Sequence, residues 1–326
     1  MTAPPWQKIS IVTPSFNQSG FLGETIDSVL GQGYPDLEYI IIDGGSSDGS
    51  VDLIRSYDDR LTYWVSEQDS GQAEAINKGW QRSNGEILGW INSDDYLLPD
   101  ALRKVAIVFR GHPHVGIVYG QGVYVDEDGG KLQYTGGQII PQKMVDGSYY
   151  SLPQPAVFLR RAVIEKVGLL DESFHYALDG EFFCRAFANF EAFYIPAPLA
   201  CLRVHGVSKS VAAGKEFAPE IMRMAEKIVA SPEAYPRCQV DRDTVVSGAY
   251  LNSARFLYNN GLYMSAAVSL ARSVKLTRFH ARQVILREFP RLLVRLIFGP
   301  QIYSRLSAYK NSGPEYGMRP TDGKPN

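Results

Sequence analysis

Between residues 8 and 110, apolar β-branched runs alternate with segments whose apolar residues have helical spacing. The strand-like runs lie at residues 9–13, 37–42, 61–65 and 86–91. The helix-like segments lie at residues 20–30, after the Asp-Gly-Ser at 48–50, at 72–82 and at 101–109. Strands separated by helices form right-handed βαβ units. The pattern therefore predicts an α/β fold, with a Rossmann-like, mostly parallel sheet flanked by helices.

A polar segment follows each of the four predicted strands. These segments read SFNQ (15–18), DGGSSDGS (43–50), SEQDSGQ (66–72) and NSDD (92–95). Ligands of parallel α/β sheets bind outside the carboxyl ends of the strands. We therefore expect all four segments to meet at one crevice.

The fourth strand ends on two adjacent carboxylates, Asp94 and Asp95. Two ionised carboxylates repel each other, so a cation between them is favourable. Magnesium and manganese are commonly held by one or two carboxylates together with phosphate oxygens of a substrate. The pair indicates a metal–diphosphate site, although Ser93 to Asp95 also suit a plain turn and cap before a helix starting near Pro99.

Three other groups of residues have both a chemical and a structural interpretation. DGGSSDGS can cradle phosphate at a helix start, or make a tight turn capped by Asp48; it is neither a GxGxxG nor a Walker A motif. Asp179 and Glu181 precede an apolar helical run and suit either a helix cap or a general base. His205 follows an apolar segment and suits either a structural role or a metal ligand.

Composition narrows the class of protein. The 326 residues are 45% hydrophobic and 21% charged, which is typical of a folded globular chain. A net charge of −2 gives no general affinity for nucleic acid. The three cysteines form no CxxC pair, and neither a signal-peptide pattern nor an apolar stretch of about 20 residues occurs. We expect a cytoplasmic protein.

The rest of the chain is less regular. Residues 115–119 and 123–125 resemble strands, residues 138–152 a long loop, and residues 163–167 and 181–188 helices. Beyond residue 215 helical patterns dominate, and residues 271–310 carry many Arg and Lys interleaved with apolar residues. That basic segment suits peripheral contact with an anionic membrane, or a solvated helix face. The tail at 311–326 is rich in Gly and Pro and typical of disorder.

Taken in order, a set of strings resembles the family-2 glycosyltransferases with a GT-A fold. The strings are IVTPSFN, DGGSSDGS, SEQDSGQAEAINKG, GWINSDDYLLPDAL, QPAVFLRR, VGLLDESFHYALDGEFFCRAF and LACLRVHGVSKS, and they span residues 8–210. The resemblance implies a catalytic domain over 1–212. The helical region over 213–310 lies outside the resemblance and is predicted from its own pattern. The resemblance also implies inverting transfer of a sugar from a nucleotide-sugar donor to a hydroxyl of a glycan or polyprenyl-linked acceptor, as in surface polysaccharide or glycolipid biosynthesis.

The resemblance also assigns roles to residues. Asp95 matches the metal ligand of the DxD-type motif, and His205 matches a histidine that completes the metal or diphosphate site around Mn²⁺ or Mg²⁺. Asp179 matches the catalytic base. The donor-binding positions would be Pro14, Ser15, Phe16, Asn17, Asp43, Asp69, Lys78 and Asp94.

One position departs from the family pattern. Many members carry a second aspartate, often a uracil contact, where this chain has Gly44. UDP, dTDP and GDP donors therefore all remain open. Two other functions also remain open at this point, a sugar nucleotidyltransferase and a non-catalytic module that binds nucleotide sugar or glycan. Against the first, residues 13–22 contain no Arg or Lys of the kind found in a nucleotidyltransferase loop.

Overall fold

The computed structural model describes residues 6–148, 152–206, 208 and 214–276, which are built around a sheet of nine strands. The strands are β1 (Ile9–Ser15), β2 (Leu37–Asp43), β3 (Tyr63–Ser66), β4 (Ile87–Trp90), β5 (Tyr96–Leu97), β6 (Ile117–Val125), β7 (Lys131–Thr135), β8 (Val157–Arg160) and β9 (Ala192–Arg203). Their order is β3-β2-β1-β4-β8-β6-β9-β5, with β7 paired to β6. Strands β1 to β4 pair in parallel, as the alternation predicts. The second half is mixed, because β8 runs antiparallel to both β4 and β6.

Ten α-helical segments accompany this sheet in the described residues. They are α1 (Ser19–Leu30), α2 (Ser50–Arg55), α3 (Gln72–Arg82), α4 (Ala101–Gly111), α5 (Pro141–Lys143), α6 (Arg161–Val167), α7 (Leu178–Asn189), α8 (Gly214–Ala230), α9 (Arg242–Asn259) and α10 (Tyr263–Leu276). The helices expected between residues 20 and 109 begin and end within two residues of their predicted bounds. Their apolar faces determine this, since Ala73, Ile76 and Trp80 of α3 are all buried at helical spacing.

The two short strands expected at 115–119 and 123–125 are one strand, β6, whose register to β9 shifts near Tyr119 and Gly122. Gly120 and Gly122 lie between the two predicted runs. In the structure they allow close packing, because a Cβ at Gly120 would lie 2.6 Å from Leu199 Cγ, and one at Gly122 would lie 2.5 Å from Leu202 Cδ1.

The long loop expected at 138–152 is also more ordered than its composition indicates. Helix α5 continues into a π-helical turn at Met144–Ser148, and Met144 and Val145 are buried in the core. Helix α9 packs on this turn, where the Asn252 amide donates to the Gly147 carbonyl. The loop prediction was wrong for residues 141–148, because it ignored apolar side chains that a distant helix covers.

Alternate residues of the central strands point to opposite faces and form two apolar clusters. Ile40 and Ile42 belong to one cluster, and Tyr39 and Ile41 belong to the other. The first cluster extends into α8 and α9 through Ile221, Ala225, Val245 and Ala249. The helices after residue 213 thus share a core with the sheet, and the division of the chain at residue 212 stays a prediction.

In the part of the chain that the structure describes, no helix combines the length and apolar character needed to cross a membrane. Arg272 and Lys275 of the basic segment lie exposed on α10. The remainder of that segment, and the tail at 311–326, lie outside the described residues.

Candidate active site

The loops that follow β1 and β2 are joined by hydrogen bonds. The backbone nitrogen of Asn17 donates to Ser46 Oγ (2.8 Å), and the backbone nitrogen of Ser47 donates to Asn17 Oδ1 (2.9 Å). The first amide of α1, on Ser19, donates to Asp48 Oδ2 (2.8 Å). Burial raises the pKa of Asp48, but hydrogen bonds from Ser19 and Ser50 outweigh it and lower the pKa to about 2. Asp48 is therefore ionised near neutral pH, and its carboxylate links the two loops through hydrogen bonds.

Asp43, at the end of β2, is fully buried and organises the loop that follows it. Its Oδ2 accepts hydrogen bonds from the nitrogens of Gly45 (3.1 Å) and Ser46 (2.9 Å) and from Ser66 Oγ (2.7 Å). Its Oδ1 accepts a hydrogen bond from Ser46 Oγ (2.6 Å). These bonds connect the loops after β2 and β3. A contact from Asp43 to a nucleoside stays a prediction.

Three of the predicted donor-binding residues lie where β1 ends. Pro14 and Ser15 are buried in the strand, and the Phe16 side chain is 61% exposed. The Ser15 carbonyl accepts a hydrogen bond from Gly44 N (2.8 Å). Ser15 Oγ is buried and lacks a hydrogen-bond partner among the described residues. Exposed aromatic and unsatisfied hydroxyl groups at a strand end suit a ligand that stacks and donates a hydrogen bond.

Asp69 fills the place that a side chain at position 44 would take. A Cβ on Gly44 would lie 2.9 Å from Asp69 Oδ2 and 3.1 Å from Asp69 Oδ1. The carboxylate is held there by the Gly71 nitrogen, which donates to Oδ1 (2.9 Å). Burial raises the pKa of Asp69, and the nearby charges of Glu74 and Asp43 raise it further.

Lys78, on α3, is engaged by two carboxylates. Its Nζ lies 2.9 Å from Glu67 Oε1 and 2.8 Å from Glu74 Oε1. Hydrogen bonds to both partners raise the pKa of Lys78. The ion pair with Glu67 ties Lys78 to the loop after β3, and a contact from Lys78 to the donor stays a prediction.

The acidic turn after β4 is held from several sides. Asp95 is 5% exposed, and its Oδ1 accepts a hydrogen bond from Arg203 N (3.0 Å). Asn92 Nδ2 donates to Asp95 Oδ2 (3.4 Å), and Asn92 Oδ1 accepts a hydrogen bond from Gln72 Nε2 (2.6 Å). Burial, followed by the charge of Asp94, raises the pKa of Asp95 well above its usual value. The bond to Gln72 joins the third loop to the fourth, so all four polar segments form one hydrogen-bonded network.

His205 contacts Asp94 rather than Asp95. Its Nε2 lies 3.0 Å from Asp94 Oδ2, its side chain is fully buried, and its ring packs on Phe21 at 4.6 Å between centroids. The other ring nitrogen, Nδ1, is buried without a hydrogen-bond partner among the described residues.

The side chains of Asp94, Asp95 and His205 suit a divalent cation only if a substrate adds further metal ligands. Across the described residues, no three His, Cys, Asp or Glu side chains come together as a ready metal site. The oxygens of Asp94 and Asp95 are nonetheless of the type that Mg²⁺ and Mn²⁺ prefer. Burial and the charge of Asp94 both disfavour the ionised form of Asp95, and a bound cation would offset that cost. The residues thus fit a metal whose remaining ligands are phosphate oxygens and water.

Sequence reasoning overlooked Arg203, although it lies within the quoted string LACLRVHG. Its guanidinium is 3% exposed and donates to the carbonyls of Asp94 (3.2 Å), Glu127 (2.7 Å) and Asp126 (3.3 Å). It also pairs with the carboxylate of Glu24. An arginine alone in an apolar strand is rarely buried without such partners, and that was the available signal. Arg203 fixes the backbone of the acidic turn.

Asp179 lies in the first turn of α7 and is half-buried. Its Oδ1 accepts a hydrogen bond from Gly180 N (2.8 Å). The Tyr124 hydroxyl connects it electrostatically to the acidic turn: burial raises the pKa of Tyr124, and the charges of Asp95 and Asp179 both add to the rise. Tyr124 also lines a cavity of about 370 Å³ together with Leu132, Gln133 and Val204. The cavity therefore shares Tyr124 with the electrostatic surroundings of both carboxylates.

Glu181, the other acidic residue of this turn, is committed to ion pairs. It is 1% exposed, and its two oxygens lie 2.8 and 2.7 Å from Nε and Nη2 of Arg185. Its Oε1 also lies 2.8 Å from Lys227 Nζ. Because both oxygens are occupied and buried, Asp179 is the better candidate to meet a substrate.

An aromatic cluster fixes α7 against the sheet. Phe183 stacks on Trp90 of β4 at 5.3 Å, and Phe182 packs on Trp80 of α3 at 5.4 Å. All four rings are buried. Asp179 therefore has a defined position relative to the strand that ends on the acidic turn.

Comparison with protein families gives a match to the family described as glycosyl transferase family 2, over residues 10–168. An uncharacterized glycosyltransferase of Mycobacterium tuberculosis is 31% identical over 192 residues, which are 57% of this chain and 70% of the relative. The putative teichuronic acid biosynthesis glycosyltransferase TuaG of Bacillus subtilis is 37% identical over 99 residues, covering 29% of this chain and 39% of the relative.

Two solved structures share the fold. TarS 1–349 of S. aureus in complex with UDP-GlcNAc aligns with a TM-score of 0.65 at 16% identity, over 97% of this chain and 95% of that one. The mannosyltransferase PcManGT of Pyrobaculum calidifontis, in complex with GDP-Man and Mn²⁺, aligns with a TM-score of 0.58 at 18% identity, over 94% and 90%. These matches confirm the predicted fold class.

Proposed function

Since this chain belongs to glycosyl transferase family 2 and is a glycosyltransferase, we propose that it transfers a sugar from a nucleotide-sugar donor to a hydroxyl of a glycan or lipid-linked acceptor, with inversion at the anomeric carbon. The observation that carries the proposal is the single hydrogen-bonded network of the loops after β1 to β4, with the acidic turn at one end. Such an edge of a parallel sheet is where nucleotides bind. The two rival functions, a nucleotidyltransferase and a non-catalytic module, lose support because the relatives are glycosyltransferases.

We assign the donor to this network. Phe16 offers an exposed ring for stacking, and Ser15, Asn17, Asp43 and Asp69 offer polar groups around it. The related structures hold UDP-GlcNAc and GDP-Man, so we propose a UDP, dTDP or GDP donor. We also assign Asp94 and Lys78 to the donor, as contacts to its sugar, ribose or diphosphate.

Asp95, with Asp94 and His205 close by, would hold Mn²⁺ or Mg²⁺ against the donor diphosphate. When bound, the metal supplies positive charge that stabilises the departing diphosphate as a Lewis acid. The presence of Mn²⁺ in the related mannosyltransferase supports this assignment. Arg203 holds the Asp94 carbonyl through its guanidinium and the Asp95 carboxylate through its backbone nitrogen.

Asp179 would act as the general base. The acceptor hydroxyl gives its proton to the Asp179 carboxylate as its oxygen bonds to the anomeric carbon, and the bond from that carbon to the diphosphate oxygen breaks. Attack from the face opposite the leaving group inverts the anomeric carbon. A single base carboxylate suffices for this route, since no covalent sugar intermediate forms. The cavity beside Tyr124 offers room for the acceptor.

The acceptor class rests on relatives and on sequence. The similarity to TuaG, named for teichuronic acid biosynthesis, supports a role in surface polysaccharide formation. The basic segment at 271–310 supports peripheral attachment to an anionic membrane, where lipid-linked acceptors reside.

The test separates donor binding from transfer. Asp179→Asn should bind nucleotide with Mn²⁺ as the wild type does, and should release nucleotide from its nucleotide sugar about a hundredfold more slowly. Glu165→Gln, an exposed carboxylate on α6, serves as control. Wild-type turnover by Asp179→Asn would reject the assignment of the base.

A further inference from the structure

A carboxylate from the C-terminal helices caps the segment that leads into α7. Glu220, on α8, is 8% exposed. Its Oε1 accepts a hydrogen bond from the His175 nitrogen (2.9 Å), and its Oε2 accepts hydrogen bonds from the nitrogens of Tyr176 (2.7 Å) and Ala177 (2.8 Å). Three consecutive backbone donors thus converge on one side chain that lies more than 40 residues away in sequence.

These three donors immediately precede the turn that carries Asp179. Helix α7 begins at Leu178, with Ala177 as its N-cap residue. Backbone N–H groups at a helix start have no acceptor within the helix, and a negative charge there is favourable. Because Asp179 lies two residues after Ala177, the Glu220 carboxylate fixes the backbone from which the Asp179 side chain projects.

The same face of α8 holds the rest of the segment. Arg223 donates to the Ser173 carbonyl (2.5 Å), and Lys227 Nζ lies 2.6 Å from Asp171 Oδ2. With Glu220 they occupy positions i, i+3 and i+7, which lie on one side of a helix. The segment is therefore held along its length by α8.

On its other side, the segment is tied to α3. Asn77 donates to the Leu170 carbonyl (3.0 Å) and accepts a hydrogen bond from the Leu170 nitrogen (3.0 Å). The same amide donates to Glu172 Oε1 (2.9 Å). The chain entering α7 is thus fixed between a helix of the nucleotide-binding half and a helix of the C-terminal region.

We propose that Glu220 is a positioning residue for sugar transfer, which makes the C-terminal helices part of the active site rather than an appendage. The proposal rests on the proposed function through one assignment, that of Asp179 as the base. Glu220 requires no contact with donor or acceptor for its proposed role. It acts by holding the three amides of residues 175–177, and through them the position of the Asp179 carboxylate.

The variant that tests this is Glu220→Gln in the full-length protein. Glutamine keeps the shape of the side chain and one acceptor oxygen. Its NH2 group cannot accept a hydrogen bond from a backbone amide, and the side chain carries no charge. The matched control is Glu226→Gln, the same change on an exposed position of the same helix. Both variants are assayed for nucleotide release from UDP-, dTDP- and GDP-sugars with water as acceptor, and for Mn²⁺-dependent binding of the free nucleotide.

The expected result is a split between rate and affinity. Small displacements of a catalytic group cost up to about a hundredfold in rate. Glu220→Gln should therefore lower kcat about tenfold or more and leave nucleotide affinity unchanged, since the donor loops belong to β1 to β4. Glu226→Gln should match the wild type in both. Equal losses of rate and affinity, or no loss of rate, would overturn the proposal.

Two measurements keep this result distinct from loss of stability and from failure of the base assignment. In an Asp179→Asn background, Glu220→Gln should have no further effect on rate, whereas independent, additive effects would contradict the proposal. Hydrogen exchange of the amides at 175–177 should be faster in Glu220→Gln than in Glu226→Gln, and equal exchange would refute the cap. If Asp179→Asn itself keeps full activity, the base assignment is what fails.

Discussion

Many relatives of this family carry an aspartate where this chain has Gly44. Replacing Gly44 by aspartate should lower both the stability of this protein and its affinity for nucleotide. The added Cβ would lie 2.9 Å from Asp69 Oδ2, closer than ordinary van der Waals contact. Gly44 does not have a positive φ angle, so the backbone itself tolerates a side chain. The cost therefore comes from the Asp69 carboxylate, which must move away from the position where the Gly71 nitrogen holds it.

The expected loss of unfolding free energy has two parts. Displacing Asp69 weakens one hydrogen bond, which is worth about 1 kcal/mol, and Gly44→Ala measures this part alone. A second carboxylate about 4 Å from the first adds repulsion of at most about 4 kcal/mol at an effective dielectric constant near 20. Both groups can turn toward solvent, so we expect a net loss of about 1–3 kcal/mol for Gly44→Asp.

The assay is chemical denaturation together with calorimetric binding of UDP, dTDP and GDP in the presence of Mn²⁺. Gly44→Asp should be less stable than Gly44→Ala at pH 7. Because Asp69 is also an assigned donor contact, displacing it should weaken nucleotide binding about tenfold, which corresponds to about 1.4 kcal/mol of binding free energy. The pKa of Asp69 is raised in the folded protein, so the repulsion is present above that pKa and disappears below it. The gap between the two variants should therefore narrow as the pH falls toward 4.

A compensating change provides the control. Asp69→Ser in the Gly44→Asp protein frees the space beside position 44 and removes one negative charge. The double variant should therefore recover most of the stability that Gly44→Asp loses. Tighter nucleotide binding by Gly44→Asp, with unchanged stability, would refute the reasoning that Asp69 takes the place of a side chain at position 44.

Other predictions concern the metal, an ion-pair network and the membrane. Asp95→Asn should abolish the Mn²⁺-dependent part of nucleotide binding, and unchanged metal-dependent binding by calorimetry would contradict the metal assignment. Lys227→Met should destabilise the protein by about 1–3 kcal/mol at pH 7, because Glu181 and Asp171 lose a partner. Although burial raises the pKa of Asp171, hydrogen bonds from Lys227 and Ser173 lower it to about 2, so this stabilisation is present above pH 4 and should fade as the pH falls toward 2 in denaturant titrations. Changing Arg287, Arg291 and Arg295 to glutamate in the full-length protein should abolish low-salt sedimentation with phosphatidylglycerol vesicles, and equal sedimentation would reject the membrane proposal.

Sequence reasoning worked best where local patterns and packing agree. The helix at 72–82 was predicted at its observed bounds, since Ala73, Ile76 and Trp80 repeat at helical spacing and all face the core. The convergence of the four polar segments also followed from topology alone, because parallel strands present their carboxyl ends at one edge. Strand β7 was missed although polar and apolar residues alternate along it; the strand is only five residues long and almost entirely exposed.

The features that sequence could not provide depend on contacts between distant residues. Nothing local distinguishes Glu220 from exposed Glu226, yet one caps three amides and the other does not. By residue type alone Asp179 and Glu181 look alike. The family resemblance selects Asp179, and the burial of Glu181 and its ion pairs with Arg185 and Lys227 favour the same choice. Arg203 required the long-range pairing of β9 with the acidic turn to reveal its role.

The stereochemistry of sugar release tests the central claim most directly. The wild-type protein is incubated with Mn²⁺ and whichever α-linked nucleotide sugar it turns over, and early proton NMR spectra identify the anomer released to water before mutarotation. A single displacement assisted by Asp179 predicts that the β anomer appears first. Release of the α anomer first would contradict the account, because retention requires a second carboxylate acting as nucleophile or a different route altogether.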